Sequence, residues 1–230
     1  MDTSSLLRNI TQIRDRVRVK SAKTPITSNP VKIIAASKTQ SAEILRNAAR
    51  FGISDFGENY LQEAVVKMDL LRDLNLTWHF IGPLQSNKTK LVAEKFDWIH
   101  SLDRLSIAKH LSEKRPTELE PMNVCIQVNI SREPNKSGCL PEELTGLVFD
   151  VRSLPRLRLR GLMIIPETVE NRKKLDSPFE NIRGLFDSCR DLQTDLDTLS
   201  MGMSDDFELA IEHGSTMIRL GTALFGSRNR

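Results

Sequence analysis

The 230-residue chain has only three cysteines, four histidines and one tyrosine. Cys125, Cys139 and Cys189 form no CxxC and no even framework, which excludes a disulfide scaffold and points to reduced thiols inside a cell. His79, His100, His110 and His213 show no HExxH-type spacing, so no metal site is expected. No apolar run nears the ~20 residues that span a bilayer, and no membrane contact is expected. The opening MDTSSLLRNITQIRDRVRVK lacks the apolar core of a secretory signal, and Asp2 and Asp15 argue against a transit peptide. A cytoplasmic monomer is expected. The charge excess is +3, from 33 basic and 30 acidic residues, too small to argue for nucleic acid as the main partner. No GxGxxG follows the first apolar run, which weighs against a dinucleotide-binding open sheet.

What is present is a repeating alternation. Strands are predicted at 31–37, 54–57, 78–82, 97–101, 123–130, 159–165, 198–203 and 216–220. Several are short apolar runs, as expected of parallel strands covered on both faces. Helices are predicted between them. In 60–74, Leu61, Ala64, Val65, Met68 and Leu71 recur at helical spacing. Pro141 opens a helix over 141–154, and another is expected over 178–192. Eight strands with intervening helices argue a single (β/α)8 TIM-like barrel, residues 1–230 as one domain. The chain ends soon after the eighth strand. Leu6, Ile10, Ile13 and Val17 lie on one face of an N-terminal helix, which is expected to pack in place of the last barrel helix. Residues 131–138 and 166–178 read as polar loops.

In such barrels reactive groups gather at the C-terminal ends of the strands. The first strand, VKIIAAS, delivers Lys38 there, followed by Ser41 and Glu43 as a helix start. The second ends in GENY, with Asn59 and Tyr60. The last two ends read as a phosphate cradle. Ser204 is expected at a helix N-terminus, where free N–H groups favour an anion, and Gly221 and Thr222 offer backbone N–H groups. Asp205 and Asp206 would repel a phosphate unless they point outward toward the following helix. Taken singly, Ser204 is also an N-cap and Gly221 a turn. Arg219 sits inside the apolar TMIRLG, where an unpaired guanidinium is costly, so it is expected to face a ligand or a carboxylate. A lysine, a phosphate cradle on neighbouring ends and an arginine between them suggest pyridoxal 5'-phosphate, its aldehyde held by Lys38 as a Schiff base.

The stretches AASKTQ, FGENYLQEA, WHFIGPLQSNK, SLDR, VNISREPNKSG, LRGLMIIP, LSMGMSDDFELAI and GSTMIRLGTALFG span residues 34 to 226. Together they closely resemble the pyridoxal phosphate homeostasis proteins, whose barrel is of the alanine racemase N-terminal-domain type. The resemblance implies that Lys38 is the cofactor lysine, that Arg219 faces the pyridine nitrogen, and that Ser204, Gly221 and Thr222 bind the phosphate. It implies that Asn59 lies beside the ring and that Met163 and Ser200 wall the pocket. LMIIPE departs from the family's LMAIP, and Ile for Ala narrows the space near the sixth strand. The family implies binding, storage or transfer of the cofactor, with apo-enzymes as recipients and little or no turnover. Racemases of this fold take a second acid–base group from a tyrosine on an all-β domain of the partner subunit. This sequence is expected to lack room for such a domain, and Tyr60 is its only tyrosine. Two rival readings stay open at this stage: a low-activity amino-acid racemase, and a Schiff-base aldolase whose lysine attacks a sugar phosphate directly.

Overall fold

The computed structural model describes residues 2–24, 30–166, 175–192 and 195–226. Helices and strands alternate along them. They run α1 (Thr3–Ser21), β1 (Lys32–Ala36), α2 (Ala42–Arg50), β2 (Asp55–Glu58), α3 (Leu61–Leu70), β3 (Thr77–Phe80), α4 (Thr89–Lys95), β4 (Trp98–Leu102) and α5 (Leu105–Lys114). They continue with β5 (Met122–Gln127), α6 (Leu144–Arg152), β6 (Leu157–Met163), α7 (Asp176–Leu192), β7 (Thr198–Ser200), α8 (Phe207–Glu212), β8 (Met217–Leu220) and α9 (Thr222–Phe225). The strands hydrogen-bond in chain order, and β8 pairs in parallel with β1, so the sheet closes into a (β/α)8 barrel. Parallel neighbours need a crossover, and the helices between them supply it.

Contacts divide the chain into two compact units, one up to His79 and again from Met201, the other Phe80–Ser200. In the first unit, Leu6, Ile10, Ile13 and Val17 of α1 are buried at helical spacing, and α1 packs on α2, α8 and α9. After β8 the described chain makes only the single turn α9, and α1 covers it, as the sequence pattern predicts. Each fully buried aliphatic of α1 is worth roughly 1.5–3 kcal/mol. The half-exposed Arg16–Glu208 pair at 3.0 Å adds ~1 kcal/mol at most. Apolar burial therefore holds α1 in place. Its polar face then secures the neighbour: Arg14 donates to the Phe51 and Gly52 carbonyls at 2.8 and 2.7 Å, satisfying the C-terminal end of α2.

In the second unit, β4 to β7 form the ladder, and α5, α6 and α7 bury Ile107 and Leu111, Leu147 and Val151, and Phe179, Ile182 and Phe186. Gly161 sits at φ +156 in β6; a Cβ there would meet the Thr198 carbonyl oxygen at 1.7 Å, so only glycine lets β6 and β7 pair. The three cysteines are buried, and burial pushes the Cys139 thiol up to about 12.

Strand ends depart from the sequence pattern where the backbone turns. β7 stops at Ser200 rather than 203, because Gly202 takes φ +94 and the chain folds back. β5 stops at Gln127 rather than 130, and Val128 keeps only a bridge to Cys139 as the chain enters the polar loop. The helix predicted over 60–74 ends at Leu70, and that over 141–154 opens as a 3-10 turn at Pro141–Glu143. Of the polar loop predicted at 166–178, residues 167–174 lie outside the described residues, and α7 already begins at Asp176.

Candidate functional site

Register decides which side chains of the first unit share a face. Ala36 of β1 lies opposite Gly57 of β2, and Ile34 and Ala35 lie opposite Arg219 and Leu220 of β8. Side chains alternate along a strand, and residues in register point the same way. Ile34 and Ala36 therefore fall on one face, with Gly57 on one side of them and Arg219 on the other, and Lys38, Asn59 and Gly221 follow just beyond these strand ends. Ser37 and Glu58 fall on the opposite face, where they meet α3: Lys67 donates to the Ser37 carbonyl and to Glu58 Oε1, each at 2.7 Å.

Lys38 is half-buried in the turn after β1, where the Gln40 N–H donates to the Ser37 carbonyl at 3.0 Å. Among the described residues its amine has no hydrogen-bonding or ionic partner. Asn59 is half-buried, and its amide oxygen is shut from solvent with no partner among the described residues. A buried acceptor without a donor costs ~1–3 kcal/mol, so this oxygen is poised for one that the chain does not supply. Arg219 is 5% exposed, and its N–H donates to the Gly202 carbonyl at 2.9 Å. Its charge is felt at Asp206, whose carboxyl burial raises and whose bond from the Met203 N–H and attraction to Arg219 partly offset.

The cradle differs in detail from expectation. Ser204 does not cap α8, which begins at Phe207 with Asp206 at its N-cap position. The Ser204 hydroxyl oxygen instead accepts the Ala223 N–H at 3.0 Å, tying the loop after β7 to the first turn of α9. Its O–H remains able to donate to a ligand. Asp206 does not point outward either. It is 7% exposed, and its carboxylate folds back to accept the Met203 N–H at 2.5 Å, because the tight turn there leaves that amide without a carbonyl. Asp205 is exposed, as expected. Gly221 has an ordinary φ of −109 at the N-cap position of α9, and Thr222 opens that helix. A Cβ on Gly221 would meet only the Ala36 carbonyl oxygen at 3.5 Å and the Ala36 Cβ at 3.7 Å, ordinary contacts. Packing of the chain does not demand this glycine; a ligand approaching the backbone would.

Met163 and Ser200 belong to the second unit. Both are fully buried and face each other in register across β6 and β7. The Ser200 hydroxyl lies 2.8 Å from His100 Nδ1. Tyr60 is 57% exposed and stands at the N-cap position of α3 without a capping bond. Sequence reasoning missed a buried charge cluster behind Lys38. Glu58 is fully buried, and Lys67 is 4% exposed on the apolar face of α3 between Ala64 and Leu71. The readable signal was Glu63 four residues before Lys67, a helical ion pair at 2.5 Å here. A cavity of about 610 Å³ lies at the other end of β1, between α1 and Lys32–Asp55, and none of the residues named for the site lines it.

A closed barrel with Lys38 after its first strand and Ser204, Gly221 and Thr222 after its last two is a barrel of the alanine racemase N-terminal-domain type. The alanine racemase N-terminal domain family matches residues 1–229. The pyridoxal phosphate homeostasis protein of Pseudomonas aeruginosa is 52% identical over 98% of this chain and 97% of its own length. That of Escherichia coli K12 is 45% identical over 98% of each. The structure of PipY from Synechococcus elongatus with pyridoxal phosphate bound superposes with a TM-score of 0.80 at 34% identity, over 93% of this chain and all of that one. The chain belongs to the pyridoxal phosphate homeostasis protein family.

Proposed function

We propose that this protein binds pyridoxal 5'-phosphate in the cytoplasm and holds, stores and hands on the cofactor, with little or no turnover of its own. The observation that carries the reading is the Lys38 amine, without a hydrogen-bonding or ionic partner among the described residues, in the turn after β1, beside the ends of β2, where the Asn59 oxygen also lacks a donor among them, and of β8, which carries the buried Arg219. When bound, the cofactor supplies an aldehyde that joins an amine with loss of one water, a link that water or another amine reverses. Lys38 is the amine. Ser204 and the Gly221 and Thr222 N–H groups hold the phosphate, Arg219 faces the ring nitrogen, and Asn59 lies beside the ring. Met163 and Ser200 wall the pocket.

Arg219 stays protonated across the physiological range. It donates to a ring nitrogen and keeps that nitrogen unprotonated, which weakens carbanion chemistry and favours holding over conversion. Residues 1–230 act as one domain, and the monomer delivers the cofactor to apo-enzymes. A low-activity racemase is the second reading, favoured by Tyr60 directly after Asn59. Borohydride reduction of the loaded protein followed by peptide mass mapping is expected to place the pyridoxyl group on Lys38 and to leave Lys38→Ala unlabelled but folded. The loaded protein is expected to reactivate a cofactor-dependent apo-enzyme while alanine racemisation stays at the rate of free cofactor. Stable labelling of a different lysine would overturn the reading; robust racemisation lost in Tyr60→Phe would replace it with the second.

A further inference from the structure

The turn that presents Lys38 is gripped from behind. Thr39, the next residue, has φ +67, a left-handed conformation that β-branched residues avoid. Such strain persists only where the surroundings over-determine it. Both flanks of Lys38 are held by one cluster. On one side the Ser37 carbonyl accepts Lys67 Nζ at 2.7 Å, and the Ser37 hydroxyl donates to Glu58 Oε1 at 2.6 Å. On the other the Thr39 N–H donates to Glu63 Oε1 at 2.6 Å. Lys67 closes the ring, donating to Glu58 Oε1 at 2.7 Å and Glu63 Oε1 at 2.5 Å. The Lys67 ammonium thus spends its three protons on Ser37, Glu58 and Glu63.

This costs more than a folded barrel needs. Glu58 is fully buried, and its Oε2 has no partner among the described residues. Apolar residues of similar volume at such positions are often neutral or stabilising. Among the described residues the hydrogen bonds of the cluster run to the two residues on either side of Lys38 and to the Gly57 carbonyl of β2. Pinning the turn's backbone reduces the freedom of the amine before a ligand arrives, which is how a supporting shell raises affinity.

We infer that Lys67, through Glu58 and Glu63, is a positioning residue that fixes the strained Ser37–Thr39 turn and thereby pre-organises the Lys38 amine for a phosphorylated aldehyde. The inference rests on the proposed role of Lys38. It separates two parts of binding: gripping the phosphate and ring, and forming the bond at Nζ.

The test compares pyridoxal 5'-phosphate with pyridoxine 5'-phosphate, which carries an alcohol in place of the aldehyde and cannot form that bond. Wild type, Lys67→Met and the milder Glu63→Ala are titrated with both, and their thermal unfolding is recorded. In Lys67→Met the affinity for the aldehyde is expected to fall at least tenfold and borohydride labelling of Lys38 to slow in step, while the affinity for the alcohol stays within twofold. Glu63→Ala is expected to shift in the same direction by a smaller factor and serves alone if Lys67→Met does not fold. A purely structural role would weaken both ligands together. Equal losses for aldehyde and alcohol, or wild-type labelling in a folded variant, overturn the positioning role. Wild-type protein labelled on a different lysine overturns the functional reading and this inference with it, so the two failures are distinct.

Discussion

Two carboxylates stand at the ends of the four-residue strand β2, and they titrate in opposite directions. Asp55 is nearly buried, yet both its oxygens are occupied: Oδ1 by Lys32 at 2.8 Å and His79 Nε2 at 2.9 Å, Oδ2 by Ser54 at 2.7 Å. Burial opposes its charge, but these hydrogen bonds win and hold its carboxyl well below the usual carboxylate range. Glu58, three residues on, is fully buried with one oxygen crowded and the other bare. There burial wins, and the bonds from Lys67 and Ser37 offset only part of it, so its carboxyl lies above its usual value. The difference teaches that saturation of the oxygens, more than depth, sets the direction. The saturated end anchors the fold. The unsaturated end stands behind Lys38, where Thr39 is also strained, and such cost gathers where a protein works.

The largest expected break of this contrast is Asp55→Ala. It strips the buried His79 and the partly exposed Lys32 of their acceptor and is expected to cost about 3 kcal/mol of unfolding free energy in urea titration. Lys38 labelling in the folded fraction should be unchanged; a loss below ~1 kcal/mol would show that the saturated end is not an anchor. Next, Ser204→Ala probes the Lys38 end without touching either carboxylate. It removes the acceptor of the Ala223 N–H and a donor to the phosphate, and is expected to weaken binding of pyridoxal 5'-phosphate by about 1–3 kcal/mol. Unphosphorylated pyridoxal should bind wild type and variant alike, and an equal loss for both ligands would remove Ser204 from the cradle. Smallest is Glu58→Gln, expected to cost ~1 kcal/mol or less near neutral pH, because relief of a buried charge offsets the weaker bond to Lys67.

Acidity sharpens the comparison. The folded-state value of Asp55 lies below its ordinary 3.8, so its stabilisation is present above 3.8 and is lost as pH falls below it. Glu58 lies above its ordinary 4.5, so its contribution is present below 4.5 and is lost as pH rises through the folded value. Urea midpoints followed from pH 7 downward should therefore fall through the acid range in wild type and flatten in Asp55→Asn. In Glu58→Gln the opposing gain on approach to pH 4.5 should vanish, while the fall below 3.8 remains. Parallel curves for the two variants would refute the opposed titrations.

Much of this was legible in the chain. Strand number, order and approximate place came from short apolar runs separated by amphipathic helices, because periodicity is a local property. The role of α1 came from Leu6, Ile10, Ile13 and Val17. Lys38 and Arg219 could be named because each sets a charge at or within an apolar strand run, and Asn59 because it follows the second strand and matches the family resemblance. Ser204 was named for the wrong reason. Its hydroxyl serves α9, eighteen residues beyond it in the chain, and helix-start chemistry is read only over about three residues.

The sequence by itself thus determined the succession of strands and helices and which residues stand at the strand ends, since alternation and composition act over a few neighbours. Only the tertiary structure decided who faces whom. Ala36 opposite Gly57 and Ile34 opposite Arg219 bring the ends of β1, β2 and β8 side by side, and with them Lys38, Asn59 and Arg219. The same register turns Glu58 to the other face, where a lysine from the apolar side of α3 meets it. Lys67 looked like an ordinary helix lysine, because its partners Ser37 and Glu58 are thirty and nine residues away. Whether a charge is paired or orphaned depends on which oxygens the packed fold leaves bare, and no local pattern encodes that.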